Sequence, residues 1–293
     1  MNKFFQLCLF SLLMHTPSIV SADGACCGVP QQCGYFFGLG ASYNTVKFEQ
    51  NYSATGNGDV YDETETLVAT GEAGGPAAPL SQTLDTLAPV VQVGYTDFFR
   101  CSNNFWGLKF VYQYLDLTST DKLLDTPQAG FLDPVAEEMD ESFTGNVITK
   151  SAQSKITHRL DFLAFFGTCV RDYKIYLGIG PSLFDAETDI YQAFGFANRE
   201  GLPREATGVP VSFSTSDWIW GGTLQLGVSY FLNSCWFFDF NYSYSISQTF
   251  ENHFSSPFTT SLVGGYTVIG TLFVDTKTQI RAQNLSFTVN RKF

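Results

Sequence analysis

The sequence predicts an all-β protein: a membrane-spanning, antiparallel up-and-down β-barrel of eight strands, with ten as the alternative count. Three observations carry that reading. Apolar and polar residues alternate in segment after segment. The connections between those segments alternate short and long. No stretch after the N-terminus stays apolar for the roughly 18–20 residues that a transmembrane helix needs.

The alternation is cleanest over 236–247. Trp236, Phe238, Phe240, Tyr242, Tyr244 and Ile246 fall on one face, and Asp239, Asn241, Ser243, Ser245 and Ser247 on the other, because side chains two apart on a strand share a face. The preceding segment repeats it. Trp218, Trp220, Leu224, Leu226, Val228, Tyr230 and Leu232 oppose Thr223, Gln225, Gly227 and Ser229. Asn233-Ser234-Cys235 joins the two as a hairpin. Two more hairpins lie upstream, 89–99 with 105–117 and 156–166 with 173–185. Strands at 35–48 and 284–293 bring the total to eight. The four long connections, 49–86, 118–155, 186–216 and 250–275, are expected to be external loops. Loops of that length count against a compact soluble domain, whereas short turns on one side and long loops on the other are the rule in membrane barrels.

A soluble β-sandwich also alternates, but its apolar face is built from Val, Ile and Leu packed on a second sheet. Here the apolar faces end in aromatics such as Trp218, Trp220 and Tyr230, and the opposite faces carry Gly, Ser, Thr, Asn and Gln. Aromatic girdles around a polar interior belong to a barrel in lipid. Composition agrees, with 16% aromatic and 15% charged residues against about 25% charged in soluble domains.

The chain ends on Leu285, Phe287, Val289 and Phe293 in one phase, with Arg291 between them. This segment resembles the barrel-closing C-terminal strand of bacterial outer-membrane proteins, and the barrel as a whole resembles the eight-stranded outer-membrane proteins of the OmpA/OmpX and opacity-protein type. Cys26-Cys27 and Trp106-Gly107-Leu108-Lys109 also resemble the cysteine-containing major outer membrane proteins of Legionella and its relatives. The resemblance implies residence in the outer membrane of a Gram-negative cell, among its lipid and lipopolysaccharide. It also implies insertion by the barrel-assembly machinery.

The N-terminus reads as a secretory signal: Lys3, an apolar run over 4–14, and the small residues Val20, Ser21 and Ala22. The expected organisation is a signal peptide over 1–22, a periplasmic segment over 23–34 and the barrel over 35–293. Removing Lys3 from the 16 basic residues leaves 15 against 28 acidic ones, a net charge of −13. Nucleic acid is not an expected partner, and no cofactor is expected.

Lys109, Arg159, Asp161, Lys174 and Asp239 lie in the inward phase. Their mixed signs suggest an ion-pair network that plugs the lumen rather than a pore lined by one sign. Catalysis is not expected, although lipid-modifying and proteolytic barrels exist. After signal cleavage the histidines are His158, in the lipid-facing phase, and His253, beside Ser255 and Ser256. The four long connections hold 20 of the 28 acidic residues and five basic ones. Their densest group, Asp133, Glu137, Glu138, Asp140 and Glu141, is a weak candidate for a hard cation and reads first as a solvated, repulsive surface. Cys101, Cys169 and Cys235 are expected in the three periplasmic turns, and Cys26, Cys27 and Cys33 before the first strand. All six are disulfide candidates in an oxidising compartment, within the chain or between copies of it. The expected function is a structural or surface-interaction role with a plugged lumen. The alternatives are a small-solute channel and an adhesin for a host or phage partner.

Overall fold

The computed structural model describes residues 33–100, 102–135, 141–199, 202–262 and 264–293. They form one antiparallel sheet of eleven segments. In chain order these are β1 (Gly34–Tyr61), β2 (Leu67–Pro76), β3 (Leu80–Phe98), β4 (Asn104–Pro134), β5 (Glu141–Val170), β6 (Tyr173–Arg199), β7 (Leu202–Glu205), β8 (Val211–Phe231), β9 (Trp236–Ser247), β10 (Phe250–Ser261) and β11 (Thr267–Lys292).

The sheet closes on itself. At the end where Gly34 and Lys292 lie, the ladder runs β1, β3, β4, β5, β6, β8, β9, β11 and back to β1, which gives eight positions. The other segments are continuations: β2 extends β3 beside β1, β7 leads into β8 beside β6, and β10 extends β9 beside β11. Counted by segment, ten strands lie along the main hydrogen-bonded path and the short β7 pairs with β6.

The four connections expected to be loops are largely strand. β1 runs on to Tyr61, β4 to Pro134 and β6 to Arg199, while β5 begins at Glu141 and β11 at Thr267. The extensions escaped notice because polarity reverses partway up each strand. On β1 the outward residues Tyr35, Leu39 and Tyr43 are exposed and apolar, whereas higher up the inward residues Val46, Phe48, Tyr52 and Ala54 are apolar and buried. On β11 the outward Leu285, Phe287 and Val289 give way to inward Ile280, Val274 and Leu272. On these two strands the pleat keeps its phase and the solvent changes, whereas β4, β5 and β6 carry bulges on the way up. From Tyr35 to Tyr43 is nine residues, the ~9–11 that a tilted strand needs to cross hydrocarbon. Beyond that belt the outer face meets water, so the apolar residues turn inward.

Above the belt the backbone ladder is interrupted at two seams. Between β3 and β4 the ladder stops at Val90↔Gln113 and resumes as β2 with β4 at Gly74↔Ala129. Between β8 and β9 it stops at Gly221↔Ser247, and β10 pairs onward with β11. Between the seams lie β10, β11, β1 and β3 on one side and β4, β5, β6 and β8 on the other, and beyond the first seam β2 joins β1 to β4. Tyr52, Ala54, Leu272 and Val274 of the one side pack with Leu124, Val147, Ala152 and Ile190 of the other. Side chains stitch the seams. Gln82 Oε1 accepts from Thr120 N at 3.1 Å and from Ser119 Oγ at 2.6 Å. Phe213 stacks on Phe254 with centroids 5.2 Å apart. Across the core, the Tyr52 and Thr149 hydroxyls lie 2.8 Å apart.

In the membrane belt, inward glycines make room for large neighbours. A Cβ on Gly227 would lie 2.1 Å from Tyr176 Cζ, and one on Gly107 would lie 2.3 Å from Phe165 Cζ. Each ring lies over a glycine of the adjacent strand. Gly227→Val should destabilise the barrel by about 1–3 kcal/mol, as overpacking does, seen as a lower urea midpoint for the lipid-inserted protein. Gly222→Ala, where a Cβ meets open space, should leave the midpoint unchanged.

Candidate functional site: a layered lumen

The interior is stacked in layers. At the periplasmic mouth Phe36, Phe105, Phe165, Tyr176 and Phe237 form an aromatic layer, with Phe98 and Phe231 against it. Above it lie two charge clusters. Above those is an apolar layer of Val46, Phe48, Leu115, Ile156, Phe184 and Ile280, followed by Gln50, Ser119, Ser154 and Thr188, all buried.

Lys109, Arg159, Asp161, Lys174 and Asp239 all point inward, none more than 7% exposed. The first cluster centres on Asp239 of β9. Tyr176 OH donates to both its carboxylate oxygens at 2.9 Å, Ser229 Oγ donates at 2.8 Å and Asn241 Nδ2 at 3.2 Å. Lys109 Nζ, from β4, donates to Tyr176 OH at 2.9 Å and lies 3.6 Å from Asp239 Oδ2. Gln92 extends the network to Thr288 and Asn290 of β11 at 2.8 and 2.6 Å. In the second cluster Arg159 meets Asp161 of its own strand at 3.0 and 3.1 Å. It also donates to Thr223 at 3.3 Å and to Ser245, and its guanidinium lies 5.6 Å from the Phe184 ring centroid. The ions are thus desolvated but hydrogen-bonded on several sides, the condition under which buried charge is tolerated.

Lys174 departs from the expected network. Among the described residues it is paired with no acid, and it lies instead among Phe98, Phe105 and Phe231. Sequence reasoning also passed over Tyr176, Gln92, Thr223, Ser245 and Asn290. The available signal was their position in the inward phase, and Tyr176 stands out there as an aromatic directly followed by the inward Gly178 and Gly180.

On the wall, Leu285, Phe287, Val289 and Phe293 face outward, and β11 closes the ring with β1. Arg291 lies 5.9 Å from the Trp236 ring centroid and 5.3 Å from that of Phe293. The upper edge of the apolar belt carries a collar of charge: Lys47–Glu49 at 2.6 Å, Arg281–Glu49 at 3.2 Å and Lys155–Asp116 at 3.9 Å. His158 sits in that collar on the outer face, its Nδ1 2.9 Å from Tyr112 OH. Higher up, the Lys277 ammonium hydrogen-bonded to Glu251 holds that carboxyl below its usual range. His253 also faces outward and bonds Asp275 at 2.6 Å. Ser256 Oγ donates to its neighbour's carbonyl, of Pro257, at 3.4 Å. A Ser–His pair is therefore not assembled among the described residues.

Cys169 corrects its expected place. It is the penultimate residue of β5 rather than a turn residue, because the turn to β6 is only Arg171-Asp172, and its side chain is buried in the aromatic layer. Cys33, Cys169 and Cys235 are unbridged, while Cys26, Cys27 and Cys101 lie outside the described residues, as does the expected signal peptide. Asp133 lies on β4, facing outward. Glu137, Glu138 and Asp140 lie outside the described residues, and of Glu141 only the backbone position on β5 is described. Among the described residues no group of three or more His, Cys, Asp or Glu is placed to hold a metal ion.

No family model and no curated protein sequence matches the chain. Solved structures do align over most of its length. The surface protein NspA of Neisseria is 12% identical, covers 84% of this chain and 97% of its own, and has a TM-score of 0.31. The outer membrane protein OprG of Pseudomonas aeruginosa is 11% identical over 90% of this chain and 97% of its own, with a TM-score of 0.36. The attachment invasion locus protein Ail of Yersinia pestis is 12% identical over 82% and 98%, with a TM-score of 0.26. At that level the likeness adds nothing to the pairing itself: a closed antiparallel ring with an apolar outer belt and a polar interior is the architecture of an outer-membrane β-barrel.

Removing one member of a buried pair strands the other. Arg159→Met should cost about 3–5 kcal/mol if the cluster is dry, and the double substitution Arg159→Met with Asp161→Asn should recover most of that loss. Urea unfolding of both variants in lipid vesicles reads the difference.

Proposed function

We propose that this chain is an outer-membrane surface protein: a sealed barrel that anchors a rigid β-structure standing clear of the membrane, with no role in conduction. The observation that supports the reading is the filled lumen. An aromatic layer, two hydrogen-bonded charge clusters and two apolar cores succeed one another along it. The cavity beside Lys109 and Asp239 measures about 20 Å³, room for one water at most. An eight-stranded barrel is narrow enough to be filled by its own side chains.

The surface role, rather than a purely structural one, is favoured by the second core. An anchor needs only the belt, whereas Tyr52, Leu124, Val147, Ile190 and Leu272 stabilise structure that lies beyond it. The long connections carry a net charge of −15, from 20 acidic and five basic residues, so a partner would meet an acidic surface and association would weaken with salt. The collar of Lys47, Lys155 and Arg281 beside the belt suits lipopolysaccharide phosphates, and the exposed terminal strand ending at Phe293 suits the assembly machinery. This reading makes the protein a binder, not an enzyme.

Planar-bilayer recording of the purified, refolded protein is the test. The expected record is a flat baseline with no unitary steps between −100 and +100 mV on the applied scale, about 2.3 kcal/mol per charge at either limit. Regular, voltage-independent steps would establish a channel and refute a sealed lumen.

A further inference from the structure

We propose that the periplasmic mouth of the barrel contains a binding site for a small organic carboxylate, anchored by the Lys174 ammonium. The proposal does not depend on the surface role. Lys174 stands at the start of β6 and points inward, 7% exposed. Its Nζ lies 4.8, 4.9 and 4.8 Å from the ring centroids of Phe98, Phe105 and Phe231. Three ring faces attract a cation, but they do not satisfy an ammonium's three N–H donors. Lys109, one layer deeper, has Tyr176 and Asp239 for that purpose. Lys174 has no oxygen acceptor among the described residues. A buried cation left in that state costs free energy, and an anion brought to it regains some of that cost.

Lys174 also stands at the junction of two spaces. Inward is the cavity of about 20 Å³. Outward is a cleft of about 240 Å³ that opens at the turns after β5 and β8. Phe98, Phe231 and Leu232 give that cleft apolar walls, while Arg171 and Asn233 join Lys174 as donors. Asn233 spends its carbonyl oxygen on the Cys235 and Trp236 backbone N–H groups, which leaves its amide N–H₂ for a ligand. The acid in the lining is Asp172, so cationic and neutral donors outnumber acceptors. Donors that converge beside flat apolar walls fit a carboxylate on an aromatic or short aliphatic body. The carboxylate would lie against Lys174 and Arg171, and the body against Phe98, Phe231 and Leu232. The volume excludes a polymer segment lying within the cleft.

The test is calorimetric titration of the full-length barrel in lipid nanodiscs with benzoate, and with benzyl alcohol, chloride and inorganic phosphate as comparisons. Benzoate should bind saturably and at least tenfold more tightly than each comparison. Lys174→Met should weaken benzoate at least tenfold, Arg171→Gln at least threefold, and Lys155→Gln on the outer wall should leave it unchanged. Arg171 is an exposed turn residue, so its variant keeps the test decisive if Lys174→Met fails to fold. Absence of saturable benzoate binding overturns the site. Equal binding of benzyl alcohol would mean an apolar pocket, and equal binding of chloride or phosphate an inorganic anion site, and either overturns the carboxylate assignment. Unchanged benzoate affinity in Lys174→Met or in Arg171→Gln overturns the anchoring.

Discussion

A backbone in hydrocarbon has no water to pair with, and that constraint governs the rest of the molecule. Every N–H and C=O of the belt must find another strand, so the sheet must close. The ladder from Phe36↔Lys292 to Tyr61↔Thr267, which joins the first strand to the last, is how this chain closes. Closure with eight positions sets a narrow bore, and a narrow bore must be packed. The inward glycines 94, 107 and 227 accommodate Phe36, Phe165 and Tyr176, and the remaining space takes charged and amide side chains that hydrogen-bond one another.

The same constraint explains why polarity reverses along a single strand. Inside the belt the outer face meets lipid, so Leu285, Phe287 and Val289 face outward and Ser286, Thr288 and Asn290 face inward. A dozen residues earlier on the same strand the outer face meets water, and Val274 and Leu272 fill the interior. The protein thus uses one continuous set of strands to build a membrane barrel below and a second apolar core above. The seams between the two sides are held by Gln82 and by the Phe213–Phe254 stack rather than by continuous backbone pairing.

Much of this was legible in the sequence, and what was missed was missed for a physical reason. The hairpin of Trp218 and Trp220 with Phe238 and Phe240 could be read directly, because lipid demands large apolar side chains at every second position. The inward phase of Lys109 and Asp239 followed from counting by twos. The partners of those charges did not follow, since Asp239 is met from β4, β6, β8 and β9 at once, and registers between distant strands leave no mark on a local pattern. Lys174 looked like another member of the ion-pair network because its three phenylalanines are scattered over β3, β4 and β8. The strand extensions looked like loops because Ser, Thr, Asn and Gly occupy their outer faces and small residues such as Ala54, Ala152 and Ala193 stand among the larger inward ones, a weaker contrast than aromatic against serine.

The central claim is that the segments beyond the belt are folded sheet around a core of their own, not mobile loops on a short barrel. Hydrogen–deuterium exchange of the lipid-inserted protein tests it most directly, because ladder amides exchange through unfolding whereas loop amides exchange freely. Peptides from 50–60, 118–130, 145–155 and 268–278 should be protected to within an order of magnitude of belt peptides such as 236–246, with rapid exchange confined to the turns such as 62–66. Complete exchange of those four segments within seconds, beside a protected belt, would contradict the account.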